Sequence, residues 1–321
     1  MPDISKINAV AVADIEKLDS ILAANIEKVN GLVFSTAPAF TGLLDTYTGA
    51  DAAFSVRRLA SATTVLLRVR RDTGGGTGDD DEADVAYDSN NELSLDSAIS
   101  NPSGGVTATT LGQFINVGTV GGTTYTNPDS LSGTAEARLT TWYDQASTND
   151  ATTRTLSIQA QIHAGTVDTD INKENGKPIV VNTGNTNIDY GLGNDPQQIY
   201  GVIKATTAVT NQSVLGSSND AFLLLMTSQG SSSELKFSRV TTRDNGAAYT
   251  GTTRNDARLA FADQTLLYCD YTTTATNADL HFGFDVSFPM ANMQEMTIYP
   301  DTATHTVADV EANINGFFGI Y

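Results

Sequence analysis

The chain has 321 residues, of which 17% are charged, and a formal net charge of −19 at pH 7. This acidity argues against nucleic acid as a partner, because a phosphate backbone is bound through Lys and Arg, and it disfavours adsorption to anionic membranes. Thr- and Val-rich runs broken by Gly, Asn and Asp are typical of antiparallel β architecture.

The chain opens with a sequence repeat whose period is eleven residues. ISKINAVAVAD (4–14) is followed by IEKLDSILAAN (15–25) and IEKVNGLVF (26–34). Such repetition presents the same surface several times, which suits docking to a partner or to other copies of the chain. We therefore assign residues 1–34 as an attachment segment that serves for anchoring or oligomerisation. Its repeated apolar positions include Ile4, Ile7, Ile15, Leu18, Ile26 and Val29.

Two structures remain open for the attachment segment. Its apolar residues recur at spacings of three and four, which at about 100° per residue places them on one stripe of a helix. The alternative is a ladder of short strands, which the β-branched residues and the Asn30-Gly31 pair favour. Its turns would lie at Asn8, Asp14, Asp19, Asn25 and Asn30. We take the helix as the leading interpretation.

A linker at 35–46, with Pro38 and Gly42, is predicted to lead into a main domain at 47–321. AFSVRRL (53–59) and TVLLRVRR (64–71) predict two strands. Further strands are predicted at 156–164, 178–182, 198–205, 212–216, 221–226, 234–240, 257–261, 265–271, 279–285 and 293–299. This spacing is typical of a sandwich or jelly roll. HTVADVEANINGFF (305–318) predicts a helix that Thr306 caps, with Asp309 at its third position and Gly316 at its end.

Arginines are concentrated in the first two predicted strands. Because side chains alternate between the faces of a strand, at least one of these arginines should point inward and need a carboxylate partner. Our prediction for that partner is Asp144, paired with Arg58, Arg68 or Arg70. Asp144 belongs to the run Trp142-Tyr143-Asp144-Gln145. In the interpretation that we favour, the aromatic side chains of this run fill the core while Asp144 pairs with the arginine. In the alternative interpretation, Trp142 stacks on a sugar and Asp144 accepts hydrogen bonds from its hydroxyls.

Few residues suggest chemistry. Asp79, Asp80, Asp81 and Glu82 are weak candidates for calcium ligands, but their spacing does not fit an EF-hand, and we favour a solvated acidic loop. Cys269 is the single cysteine, so no intrachain disulfide can form, and its apolar surroundings predict a small buried side chain. We predict no catalytic residue, no metal and no cofactor.

Four stretches carry a resemblance to a known family. They are YTG…AFSVRRL…LLRVRR (47–71), TTWYDQASTNDAT (140–152), QAQIHAGTV…NGKPIVVNTG (159–184) and MTIYPDTATHTVADVEANINGFFGIY (296–321). In this order they resemble the concanavalin A-like, laminin G-like jelly-roll domains of many bacteriophage virion proteins and of the catalytic domain of α-L-arabinofuranosidase B. The opening repeats are similar to N-terminal segments of phage structural proteins.

The resemblance implies a mostly β chain, an antiparallel jelly-roll sandwich with a short N-terminal repeat segment and a C-terminal helix. It implies a non-enzymatic virion protein, either a capsid decoration or head fibre or a tail fibre component. Its expected partners are other virion proteins, bound through residues 4–34, and further copies of itself. A carbohydrate-binding host adhesin is the alternative, and a glycoside hydrolase is the third possibility.

The same resemblance leaves enzymatic activity unsupported. A retaining glycosidase needs two carboxylates about 5 Å apart, and no local motif marks such a pair. The cysteines of the arabinofuranosidase domain are also missing. The first twelve residues lack the pattern of a secretory signal, and no run approaches the roughly 18 to 20 apolar residues that span a bilayer. We expect a protein made in the host cytoplasm and located in the virion.

Overall fold

A computed structural model of the chain describes residues 39–73, 80–129, 131–153, 155–182, 188–190, 198–205, 211–214, 216–217, 226–228, 240–271, 280–282, 290–300 and 302–321. It also describes six two-residue strands before residue 34. Asp79 and most of the predicted strands at 221–226 and 234–240 lie outside these residues. The same is true of the predicted turn residues Asn8, Asp14, Asp19, Asn25 and Asn30, and of the apolar positions Ile4, Ile15 and Ile26. The chain divides into two compact units, Met1–Thr41 and Gly42–Tyr321.

The first unit contains three antiparallel hairpins with one register. The strands are β1 (Lys6–Ile7) with β2 (Val10–Ala11), β3 (Lys17–Leu18) with β4 (Ile21–Leu22), and β5 (Lys28–Val29) with β6 (Leu32–Val33). In each hairpin a lysine pairs with the residue five positions later: Lys6 with Ala11, Lys17 with Leu22 and Lys28 with Val33. The eleven-residue period of the sequence is therefore the period of the hairpins.

The helical interpretation of the attachment segment is wrong, because the residues described there form paired strands. The alternative interpretation, a ladder of short strands, agrees with this pairing. In every hairpin the two strands are separated in the sequence by two residues, the first an Asn or Asp: Asn8, Asp19 and Asn30. Asn and Asp favour the positive φ angles of two-residue hairpin turns. The apolar spacing fits a helical stripe, but the paired strands recur once per repeat.

The second unit contains a nine-stranded sheet. Its strands are β8 (Leu67–Asp72), β9 (Glu82–Val85), β10 (Ile99–Ser100), β13 (Glu136–Trp142), β14 (Ala151–Thr152), β15 (Gln161–Ala164), β18 (Ile188–Tyr190), β21 (Gly216–Ser217) and β26 (Leu280–Phe282). They are ordered β10-β9-β8-β13-β14-β18-β26-β21, and β15 also pairs with β13.

A six-stranded sheet has the order β24-β23-β25-β19-β27-β7. Its strands are β7 (Ala52–Ser55), β19 (Gln198–Lys204), β23 (Val240–Asp244), β24 (Ala247–Ala248), β25 (Thr265–Tyr271) and β27 (Asn292–Tyr299). Three small hairpins complete the strands: β11 (Gly118–Val120) with β12 (Thr123–Tyr125), β16 (Lys173–Glu174) with β17 (Lys177–Pro178), and β20 (Asn211–Ser213) with β22 (Met226–Ser228). Every strand pair among the described residues is antiparallel.

The helices are short apart from the last one. They are α1 (Leu43–Thr46), α2 (Leu111–Phe114), α3 (Arg254–Ala260) and α4 (Val307–Phe318), with a 3-10 turn at Leu156–Ile158. The mostly β prediction with a C-terminal helix is confirmed, since 37% of the chain is strand and 14% is helical. None of the helices in the described ranges has the length and hydrophobicity needed to cross a lipid bilayer.

The two large sheets contact each other through aromatic side chains. The ring of Phe54, on β7, lies 6.2 Å from that of Trp142, on β13, and 5.2 Å from that of Phe282, on β26, measured between centroids. All three side chains are buried. Cys269, on β25, is also fully buried, as predicted, and this burial raises the pKa of its thiol. These contacts place the core between the two sheets.

Several predicted elements are confirmed and others need correction. The predicted strand at 156–164 begins with the 3-10 turn, and only Gln161–Ala164 is a strand; the predicted strand at 53–59 ends at Ser55. The strand at 265–271 has its predicted bounds, and Thr306 caps α4 by accepting from Asp309 N at 3.3 Å. However, α4 continues through Gly316 and ends at Phe318, where Gly319 forms the C-cap with a φ of 63° that favours glycine. The predicted strand at 257–261 lies mostly in α3, because Thr253 and Asp256 form a capping box. The predicted linker at 35–46 ends in α1, whose Leu43 is buried.

Candidate ligand-binding cleft and its supporting charges

Trp142 belongs to the core and not to a ligand site. Its side chain has no exposed surface, and its indole Nε1 donates to the carbonyl of Ser55 at 3.2 Å. Because neighbouring residues of a strand face opposite sides, a buried Trp142 directs Tyr143 towards the outer face of the nine-stranded sheet. The prediction that Trp142 fills the core is confirmed, and the interpretation of Trp142 as a sugar-stacking residue is wrong.

Asp144 is buried as predicted, with 7% of its surface exposed, but the predicted arginine partner is wrong. Its Oδ1 accepts from the backbone N–H groups of Ala53 at 2.8 Å and Ala146 at 2.9 Å. Its Oδ2 accepts from the hydroxyl of Ser147. Three hydrogen bonds therefore compensate its burial. Asp144 joins the start of β7 to the loop after β13.

The arginines predicted to pair with Asp144 have other partners. Arg58 donates to the carbonyls of Ala60 and Ser61, and its guanidinium lies 4.5 Å from the ring centroid of Tyr87. Arg68 and Arg70, which share the outer face of β8 as alternation predicts, bind carboxylates of their own hairpin and of the adjoining loop. Carboxylates within 16 residues along the chain neutralise both Arg68 and Arg70, so neither arginine needs Asp144 as a partner.

The acidic run after residue 79 is paired with these arginines. Asp80 binds Arg70 at 2.6 Å, and Glu82 binds Arg68 at 2.7 Å. Asp81 forms a salt bridge with Arg71, so the three described members of the candidate calcium cluster each contact a guanidinium. Within the described ranges, no group of three His, Cys, Asp or Glu side chains is arranged to hold a metal ion. The three described members of the run are thus ion-paired, and Asp80 also keeps 60% of its side chain exposed.

Arg57, in the first predicted strand, is buried, and its carboxylate partner is Glu295. Arg57 Nε and Nη2 donate to the two oxygens of Glu295 at 2.7 and 3.0 Å, and Ser55 Oγ donates to the same carboxylate at 2.8 Å. Glu295 has no exposed surface. Arg57 also reaches Asn313 of α4 and lies 4.8 Å from the ring centroid of Phe317. This pair ties β7, β27 and α4 together, and sequence analysis missed it because the partners are 238 residues apart.

An open cleft of about 410 Å³ lies beside the Tyr143–Gln145 run. Its walls come from the loop after β7, from β9 and from the loop after β13, and the lining residues are Ala62, Thr63, Thr64, Val65, Asp84, Tyr143, Asp144, Gln145 and Asp150. Pockets of this size accept small organic ligands. In the sequence, the polar residues that follow Trp142 mark this cleft. The burial of Trp142 in the core does not account for them.

The tyrosine of the cleft is held in place. Its hydroxyl donates to Asp84 Oδ1 at 2.7 Å, and its backbone N–H donates to the carbonyl of Leu66 at 3.1 Å. Burial and the contact with Asp84 raise the pKa of Tyr143. Burial alone would raise the pKa of Asp84, but hydrogen bonds from Tyr143, Asn101 and Arg68 lower it. Tyr143 therefore stays neutral while Asp84 stays ionised.

Asp150 is the least compensated carboxylate of the cleft. Its Oδ1 accepts from the backbone N–H of Asp144 at 3.0 Å, and no described residue donates to its Oδ2. Desolvation at the cleft wall raises the pKa of Asp150, although the side chain keeps an exposed side. The cleft thus combines one immobilised aromatic ring with an acceptor that is open to a ligand.

Comparisons with protein-family models, with curated proteins and with solved structures find no match for this chain.

Proposed function

We propose that this protein is a non-enzymatic structural component of a bacteriophage virion. In this proposal residues 4–34 bind other virion proteins and further copies of the chain, and residues 47–321 are displayed outward. The observation that carries the proposal is the register shared by the three hairpins of the first unit. A capsid decoration or head fibre and a tail fibre component are both compatible with it. A cryo-EM map of the parent particle would test the location directly.

The hairpins support an attachment role on energetic grounds. An isolated two-stranded hairpin is at best marginally stable in water, and it needs a third strand or a packing partner. Each hairpin here pairs only two residues per strand, and the arrangement recurs with the same spacing. Stacking against equivalent hairpins or docking on a partner surface would supply the missing burial. This explains why a sequence would repeat the same unit.

For the second unit we propose a concanavalin A-like jelly roll. The support is the presence of two large antiparallel sheets whose facing sides contact through Phe54, Trp142 and Phe282. The last helix fits the same proposal, because Arg57 and Glu295 join it to β7 and β27. In such a sandwich the two sheets form a rigid core, and the loops between the strands can bind a ligand or a partner.

Removal of residues 1–41 is expected to abolish assembly while leaving the second unit folded, because the two units are separately compact. The truncated chain should melt cooperatively and elute as a smaller species than the full chain. Light scattering coupled to size-exclusion chromatography, together with circular dichroism melts, measures both properties. A truncated chain that assembles like the full chain, or that fails to fold, would contradict the proposal.

A carbohydrate-binding host adhesin is the second candidate, and the cleft at Tyr143 favours it. A partly exposed aromatic ring beside carboxylates and hydroxyls is the type of surface that binds sugar rings. This role is compatible with the first, since a virion component displayed outward can also bind host glycans. A glycoside hydrolase is the third possibility.

No glycosidase activity is expected from this chain. Among the cleft carboxylates, Asp84 and Asp144 each accept three hydrogen bonds, so neither is free to act as a nucleophile. Incubation with aryl-arabinofuranosides and aryl-glucosides should release no chromophore above the buffer blank. Hydrolysis that a single Asp or Glu substitution abolishes would overturn this expectation.

A further inference from the structure

We propose that the cleft beside Tyr143 is a binding site for uncharged saccharides and that it rejects acidic ones. The inference deepens the adhesin role proposed above by assigning it a site and a ligand class. Its basis is the juxtaposition of an outward tyrosine ring, an open carboxylate oxygen and two threonine hydroxyls in one cleft of about 410 Å³.

The first argument is the rigidity of the ring. Tyr143 is fixed by its hydroxyl bond to Asp84, and Asp84 is in turn held by Arg68 at 2.7 Å and Asn101 at 2.7 Å. An immobilised ring binds at a low cost in conformational entropy, because its side chain has no freedom left to lose. One face of a sugar presents C–H groups that pack against such a ring, whereas its edge presents hydroxyls.

The second argument is the hydrogen-bonding capacity left in the cleft. Asp150 Oδ2 receives no hydrogen bond from a described residue, and neither do the hydroxyls of Thr63 and Thr64. An ionised carboxylate only accepts, whereas a threonine hydroxyl both donates and accepts. Vicinal sugar hydroxyls can satisfy both kinds of group, so they complement this set.

The third argument is the sign of the charge. Asp84, Asp144 and Asp150 line the cleft, and none of its described lining residues is basic. Arg68 is the cation that neutralises Asp84, and it is already engaged with Asp84 and Glu82. A carboxylate-bearing sugar brought beside Asp150 would therefore meet a like charge with no available partner. Uncharged sugars avoid this repulsion.

Titration of the full chain with matched sugars tests the proposal. Glucose and galactose are the uncharged probes, and glucuronate and galacturonate are their acidic counterparts. Saturation-transfer NMR and isothermal titration calorimetry near neutral pH should show binding of at least one uncharged probe. The matched acid should bind about tenfold or more weakly, a ratio that corresponds to about 1.4 kcal/mol.

Two cleft variants and one control distinguish the site from other surfaces. Tyr143→Ala should abolish binding of the uncharged probe. Asp150→Asn keeps the Oδ1 acceptor for Asp144 N, so the fold is retained, and it should bring the affinities of the neutral and acidic probes together. Asp263→Asn replaces an exposed carboxylate outside the cleft and should change neither affinity. A thermal melt of each variant verifies folding.

The proposal fails if no uncharged probe binds, if the acids bind as well as the neutral sugars, or if Asp150→Asn leaves their ratio unchanged. It also fails if Asp263→Asn has the same effect as Asp150→Asn. These results are independent of assembly through residues 1–41, which the truncation measures separately. A failed sugar titration therefore leaves the virion proposal standing, and a failed truncation leaves the cleft assignment standing.

Discussion

Replacement of Glu295 by alanine is expected to lower the free energy of unfolding by about 3 to 5 kcal/mol, the usual cost of removing one partner of a buried ion pair. Glu295 has no exposed surface, and it accepts two hydrogen bonds from Arg57 and one from Ser55. Without it, the Arg57 guanidinium would remain between β7 and α4 without its carboxylate. The contact between the Arg57 guanidinium and the ring of Phe317, on α4, would also weaken.

Urea denaturation of the parent and the variant measures this loss. Lys173→Ala is the matched control, because Lys173 pairs with Asp170 at 2.6 Å on the surface and exposed pairs contribute only about 0 to 1 kcal/mol. The double variant Arg57→Met, Glu295→Met removes both charges and should be more stable than Glu295→Ala alone. A loss for Glu295→Ala no larger than that of the control would show that the pair does not secure α4.

The second large effect is expected at Asp144. Asp144→Ala should lower the free energy of unfolding by about 2 to 4 kcal/mol, because the N–H of Ala53 would be left buried without a partner, at a cost of about 1 to 3 kcal/mol, and two further hydrogen bonds would be lost. The loop that follows β13 would lose its bonds from Ala146 and Ser147 to the same carboxylate. The expected loss of stability comes from these hydrogen bonds and not from a salt bridge between Asp144 and an arginine.

Asp144→Asn is the informative companion, since its amide oxygen can replace Oδ1 towards Ala53 and Ala146. We expect it to cost roughly half as much as the alanine variant, because a neutral acceptor forms a weaker bond. Thermal and urea melts of both variants give the comparison. If the alanine variant melted with the parent, the assignment of Asp144 as the support of the loop would be wrong.

Local patterns predicted many elements because the residues that decide them are close in sequence. Thr306 and Asp309 marked the start of α4, and alternation placed Arg68 and Arg70 on one face of β8. The end of α4 was misplaced because two glycines were available, and the sequence does not show which one adopts a positive φ. The helix α3 was predicted as a strand because its apolar residues are few, although the capping box at Thr253 and Asp256 was present in the sequence.

The candidate site depended on contacts that a single sequence does not show. Alternation required an inward arginine with a carboxylate, but 37 acidic residues were available and distance along the chain could not select Glu295. The cleft brings together residues 62–65, Asp84 and the run at 143–150, and the pairing of β8 with β9 and β13 holds these separate segments side by side. Sequence reasoning found the run with Trp142 and Asp144 and placed its aromatics in the core, which is right for Trp142 but not for its neighbour Tyr143, which lines the cleft.

The shared register of the hairpins makes their number adjustable in whole steps. An in-frame duplication of one eleven-residue unit would add a hairpin and keep Lys6, Lys17 and Lys28 at equivalent positions. An insertion whose length is not a multiple of eleven residues would break this spacing. Under the proposed attachment role, duplication or loss of whole units would therefore change the avidity of the chain for a repetitive partner without altering its individual contacts.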